Sequence, residues 1–111
     1  MNKFRKIPLQ RIKQAALKVA SAVRPEKIIL FGSYAYGKPT ADSDVDFLLI
    51  VPEKSQKDRD RIYDKASDAL IPRPFSIDFV VRSRSDISWR IKDRDYFLKE
   101  IIDNGHVLYE K

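Results

Sequence analysis

The chain has 111 residues, no cysteine and a formal net charge of +6. Disulfides and thiolate metal sites are therefore excluded, and no apolar run approaches the roughly 18 residues of a membrane span. With 43% hydrophobic and 34% charged residues the composition is that of an ordered globular chain, and the length suits one domain over residues 1–111. The opening residues lack the apolar core of a secretory signal, so a cytoplasmic location is expected. The basic residues spread over Lys3 to Lys27, Lys54 to Lys65 and Arg73 to Lys99 without a compact run of five. Such spacing reads as a solvated surface before it reads as a nucleic-acid patch.

Leu9, Ile12, Ala16, Val19 and Val23 recur at three- and four-residue intervals and predict a helix from about Pro8 to Val23. Arg24-Pro25 ends it, since a residue before proline disfavours the helical region. Ile28-Ile29-Leu30-Phe31 is a short apolar run and predicts a buried strand. It stops at Gly32-Ser33, where small residues let another group approach the backbone. A short helical or looped segment follows, then the loop Lys38 to Asp42.

A second strand carries Asp44 and Asp46 at the head of Val45-Asp46-Phe47-Leu48-Leu49-Ile50-Val51. Side chains alternate along a strand, so both carboxylates are expected on one face, opposite Val45 and Phe47. Two like charges about 4 Å apart repel by roughly 4 kcal/mol at an effective dielectric near 20. An apolar strand opening in this way points to a cation between the two acids, and Mg²⁺ selects carboxylate oxygens together with substrate phosphates. Ser43 either orients these carboxylates or caps local backbone.

Pro52-Glu53-Lys54 reads as a turn. A helix is expected from about Gln56 to Leu70, opened by the capping sequence Ser55-Gln56-Lys57-Asp58 and buried along Ile62, Ala66, Ala69 and Leu70. Its other face mixes both charge signs, as a solvated helix does. Phe75 to Val81 follows as a strand with Asp78 inside it, and strand–helix–strand in this order predicts parallel pairing. A carboxylate in an apolar strand is expensive unless paired or metal-bound. Arg82-Ser83-Arg84-Ser85 is expected to be a loop. A helical region from about Asp86 to Asp103 breaks near Lys92-Asp93-Arg94-Asp95. Core packing is expected for Trp89, with Trp89, Tyr96 and Phe97 as candidates for an exposed patch that binds a helical partner. Asn104-Gly105 reads as a helix C-cap, and a short strand from His106 to Glu110 ends the chain. The lone His106 receives no role.

Gly32-Ser33, then Gly37, then Ser43-Asp44-Val45-Asp46, with Asp78 on a later strand, resembles the signature of the polymerase-β-like nucleotidyltransferase superfamily. The short chain resembles its minimal nucleotidyltransferase (MNT) branch, often the antitoxin partner of a HEPN-domain toxin. That resemblance implies an α/β (α+β) fold with a small mixed sheet of three or four strands and helices packed mainly on one face. It implies transfer of AMP from ATP to a hydroxyl of a partner protein. Asp44, Asp46 and Asp78 would be the catalytic, metal-binding acids for two Mg²⁺ ions, with Asp78 taking the acceptor's proton. Gly32, Ser33, Lys38 and Ser43 would meet the nucleotide. Many members carry arginine immediately before the second glycine; here Tyr36 stands there, and Lys38 is the nearby cation. A HEPN toxin or a second copy would complete the site. A binding-only antitoxin and a basic nucleic-acid-binding module are the alternatives.

Overall fold

The computed structural model describes residues 5–52 and 55–111. Residues 1–4, with Lys3 of the basic spread, lie outside them, as do Glu53 and Lys54 of the turn expected after Val51. In chain order the elements are α1 (Leu9–Val23), β1 (Lys27–Phe31), β2 (Val45–Val51), α2 (Gln56–Ala69), β3 (Ile77–Ser83), α3 (Arg84–Lys92), α4 (Tyr96–Asn104) and β4 (His106–Glu110).

The four strands form one mixed sheet in the order β3-β2-β1-β4. β1 lies antiparallel to both β2 and β4, with an irregularity against β4 between Ile28 and Ile29. β2 and β3 are parallel, joined by α2 as the strand–helix–strand order predicts. The antiparallel β1–β2 pair sets Phe31 opposite Asp46, and the parallel β2–β3 pair sets Asp46 opposite Asp78. These two registers bring the Gly-Ser turn and both strand carboxylates to one end of the sheet.

Alternation along the strands divides the core in two. Ile28, Leu30, Val45, Phe47, Leu49, Val51, Ile77, Phe79 and Val81 pack with α1 and α2 on one face. Fully burying side chains of this size stabilises the fold by roughly 1.5–3 kcal/mol each. Ile29, Phe31, Leu48 and Ile50 form a smaller cluster with Ile87, Leu98 and Ile101 on the other. The main helical layer is thus on one face, as expected, but the short helices α3 and α4 cover part of the second. They do so because β2 is buried on both faces, and its Leu48 and Ile50 need a cover of their own.

Local chemistry explains the boundaries. Pro8 is the residue before α1, and Leu9 is exposed although Ile12, Ala16 and Val19 are buried. Ser55 caps α2, accepting from the Asp58 N–H at 3.2 Å. The expected basic loop at Arg82–Ser85 does not form. β3 runs through Ser83, and Ser83 caps α3 by accepting from the Asp86 N–H at 3.2 Å, so the strand passes into the helix without a loop. The helical region breaks at residues 93–95, where Asp95 caps α4 through the Leu98 N–H. Gly105 is the C-cap of α4, yet with φ −70° it is not left-handed. Its role is space: a Cβ there would lie 2.5 Å from the Ile101 carbonyl oxygen and 2.5 Å from Ile29 Cγ2. Trp89 is not in the core. It is 63% exposed, since Ile87 and Ile91 supply the buried side of α3.

Candidate active site

Gly32 ends β1 with φ +76°, a conformation open to glycine at little cost. The chain then makes one helical turn, with the Ala35 and Tyr36 N–H groups donating to the Gly32 carbonyl at 2.9 and 3.1 Å. A Cβ on Gly32 would stand 2.3 Å from Asp46 Oδ2. The missing side chain is therefore the room in which the Asp46 carboxylate sits.

Asp46 and Asp78 are opposed in the parallel ladder and share the α3/α4 face with Leu48 and Val80. Asp44 differs from the expectation: β2 begins at Val45, so Asp44 stands just before the strand. It is fixed by a residue that sequence reasoning missed. Ser76 donates its hydroxyl proton to Asp44 Oδ1 at 2.5 Å, and the Val45 N–H donates to the Ser76 carbonyl at 3.0 Å. Together these bonds tie the heads of β2 and β3. The available signal was the matching pattern of Ser76-Ile77-Asp78 and Asp44-Val45-Asp46 at the heads of two adjacent strands.

The three acids repel one another. The Asp46 carboxyl is pushed up to about 6, first by burial, then by the charge of Asp78, then by that of Asp44. Among the described residues no group of three acidic, histidine or cysteine side chains is close enough to grip an ion as it stands. The donor chemistry nevertheless fits a hard divalent cation: carboxylate oxygens only, two of them on exposed side chains at the strand heads, and a half-buried acid that a cation would relieve of like-charge repulsion.

A raised carboxyl pKa means that the folded chain binds this proton more tightly than the unfolded one. The stabilising contribution of Asp46 is complete below about pH 3.8 and is lost as the pH rises through about 6. In metal-free buffer Asp46→Asn should therefore melt a few degrees above the wild type at pH 7, with the gap closing toward pH 4. Melting curves of both proteins in EDTA across that range check this, and a gap independent of pH contradicts it.

The remaining candidates lie on the turn and loop. Ser33 is half-buried beside Gly32, and its carbonyl accepts from the Lys38 N–H at 3.0 Å. Lys38 is exposed. Ser43 accepts from the Thr40 N–H at 2.8 Å, so its hydroxyl closes the loop before Asp44. Tyr36 is partly exposed. Its phenol is raised above 10 by burial and by the Glu100 carboxylate of α4, with hydrogen bonding at the Gly32 main chain acting the other way. The turn therefore presents an aromatic ring, Tyr36, toward a helix that carries the Glu100 negative charge. His106 opens β4 at the same end of the sheet, but it pairs with Leu30 on the α1 face, opposite the face that carries Asp46 and Asp78.

A glycine turn against an acid-bearing strand, with a further acid in register on the next, defines a nucleotidyltransferase fold. The family model for the nucleotidyltransferase domain matches residues 12–107, and the chain belongs to that family. A Methanocaldococcus jannaschii protein, named as a candidate protein adenylyltransferase, is 34% identical over 94 residues, covering 85% of this chain and 88% of its own. The fold is also similar to the crystal structure of a candidate nucleotidyltransferase from Sulfolobus solfataricus, with TM-score 0.60 and 22% identity over 93% of this chain and 80% of that one. A toxin–antitoxin structure with AMP-PNP gives TM-score 0.56 and 20% identity over 89% and 73% of the two chains. A mutant MntA–HepT toxin–antitoxin structure gives 0.55 and 18% over the same shares. Among the described residues no helix is long and apolar enough to cross a membrane.

Proposed function

We propose that this nucleotidyltransferase is a protein adenylyltransferase that moves AMP from ATP to a hydroxyl of a partner protein, a HEPN-family toxin that it thereby neutralises. The observation that carries the reading is the set of three acids at the strand heads, with Asp46 seated against Gly32. The 34% identical relative carries the adenylyltransferase name, and folds of this kind occur in toxin–antitoxin complexes, one of them solved with AMP-PNP.

Asp44, Asp46 and Asp78 would hold Mg²⁺, which when bound neutralises the triphosphate and lowers the barrier to displacement at phosphorus. The residues of the chain supply the rest. The Gly32-Ser33 turn offers the Ser33 hydroxyl and main-chain N–H groups to the outer phosphates, with Lys38 as the nearest cation. Ser43 holds the loop that delivers Asp44, and Ser76 orients the Asp44 carboxylate. Asp78 lies on the outer strand of the pair, exposed, where an acceptor hydroxyl can reach it. It takes the hydroxyl proton as the acceptor oxygen bonds to the α-phosphorus. The bond from that phosphorus to the bridging oxygen breaks, and pyrophosphate leaves.

The test is to purify the chain with its helical partner, add ATP and Mg²⁺, and weigh the partner. Its mass should rise by whole AMP units. A partner that stays unmodified while its toxicity is still suppressed would support a second reading, an antitoxin that acts by binding alone. Tyr36 with Glu100 beside it, in place of an arginine, is the observation favouring that reading.

A further inference from the structure

α4 stands over the site side of the sheet. Leu98 and Ile101 bury its lower face, while Phe97 projects toward β1. The Phe97 ring meets Phe31 edge-on, with centroids 5.6 Å apart and planes at 84°. Phe31 is the ladder partner of Asp46, so paired side chains link the acid to this aromatic contact. The Phe97 side chain nevertheless remains 55% exposed. An edge-to-face contact of this kind leaves ring surface open to a further planar group.

Glu100 lies three residues beyond Phe97, adjacent on the helix surface. Its negative charge acts on the Tyr36 phenol, which sets α4 near the turn. This side is therefore unsuited to a phosphate: a carboxylate repels it, and Tyr36 offers no positive charge to attract it. It suits a flat, neutral, aromatic group that carries N–H donors.

We infer that Phe97 and Glu100 form the nucleobase subsite, in which the base stacks on the exposed Phe97 ring and an exocyclic amine of the base donates to the Glu100 carboxylate. This rests on the proposed nucleotide chemistry of the acids and adds the base specificity, which neither the glycine turn nor the carboxylates can supply. Phosphates would run along Ser33 and Lys38, with the sugar above Asp46 and the base against α4. Adenine and cytosine nucleotides then bind better than uridine nucleotides, because uracil has a carbonyl where they carry the amine and would place oxygen against oxygen.

Titration of the full chain with ATP, CTP, UTP and inorganic tripolyphosphate in Mg²⁺ tests this. Phe97→Leu should weaken ATP about tenfold, the scale of one base–aromatic contact, and leave tripolyphosphate unchanged. Phe97→Trp should restore ATP binding. Glu100→Gln should reduce the preference for ATP over UTP while tripolyphosphate binding holds or improves. ATP binding by the wild type that is indifferent to Phe97→Leu overturns the subsite and leaves the proposed function standing. Equal loss of ATP and tripolyphosphate in Phe97→Leu overturns it also, since the residue then acts on the fold or the phosphates. Absence of any nucleotide binding by the wild type overturns both.

Discussion

On the proposed function, Asp46→Asn should stop AMP transfer to the partner while the protein stays folded. The expected loss is on the order of 10³-fold or more, as removal of several kcal/mol of charge stabilisation requires. The exchange is nearly isosteric, and it removes a charge that burial, Asp78 and Asp44 all oppose in the metal-free chain. The same substitution is therefore stabilising and inactivating, a combination that simple damage to the fold does not produce. Asp44→Asn should behave alike in transfer, with less effect on stability. Asp78→Asn should cripple transfer yet retain more Mg·ATP binding than either, because its part is toward the acceptor. Intact-mass measurement of the true partner, beside nucleotide titration, separates these. Transfer persisting in the double variant Asp44→Asn, Asp46→Asn would sink the proposed mechanism.

Gly32→Ala has the second large effect, and Gly37→Ala is its control. Both glycines have positive φ, +76° and +79°. An L-residue there costs about 1–2 kcal/mol, so each variant should melt several degrees lower. They differ in what the new methyl meets. At position 37 nothing lies within 4 Å, whereas at position 32 the methyl would stand 2.3 Å from Asp46 Oδ2. The Asp46 carboxylate has to move, and a displacement of about 1 Å in a reacting constellation costs about 10²-fold in rate. Gly32→Ala should lose transfer by about that factor, and Gly37→Ala should keep most of it. Equal activity in the two would show that the contact between turn and acid is incidental.

The parts of the site that were legible in the sequence are those written in short range. Gly32-Ser33 follows an apolar run, Asp44 and Asp46 open one, and Asp78 interrupts one; each is visible within a few residues. The helical stripe of α1, the cap at Ser55 and the break before Asp95 were legible for the same reason. What escaped depends on meetings across the fold. Ser76 and Asp44 are 32 positions apart, and an exposed serine advertises no partner. The Tyr36–Glu100 encounter requires α4 to be laid over the turn, which no local pattern states. Trp89 misled because an aromatic side chain carries a large burial preference, while the mixed polar surface of α3 left Ile87 to satisfy the core. Arg82 to Ser85 resembled a loop in composition; Ser83 as cap converts that polar stretch into the junction of strand and helix.

The parallel pairing of β2 with β3 also governs when the site comes into being. A chain folded only as far as the β1–β2 hairpin holds Asp44 and Asp46 as ordinary solvated acids, without Ser76 to orient one or Asp78 to crowd the other. The whole α2 crossover has to be formed and docked before the third acid arrives, and such long-range closure is slow compared with local hairpin and helix formation. On the proposed function, forms that lack a docked β3 would lack Asp78 and with it the nucleotide chemistry. In that reading the crossover is an interlock, and the chain would act on a partner protein only after its own sheet is complete.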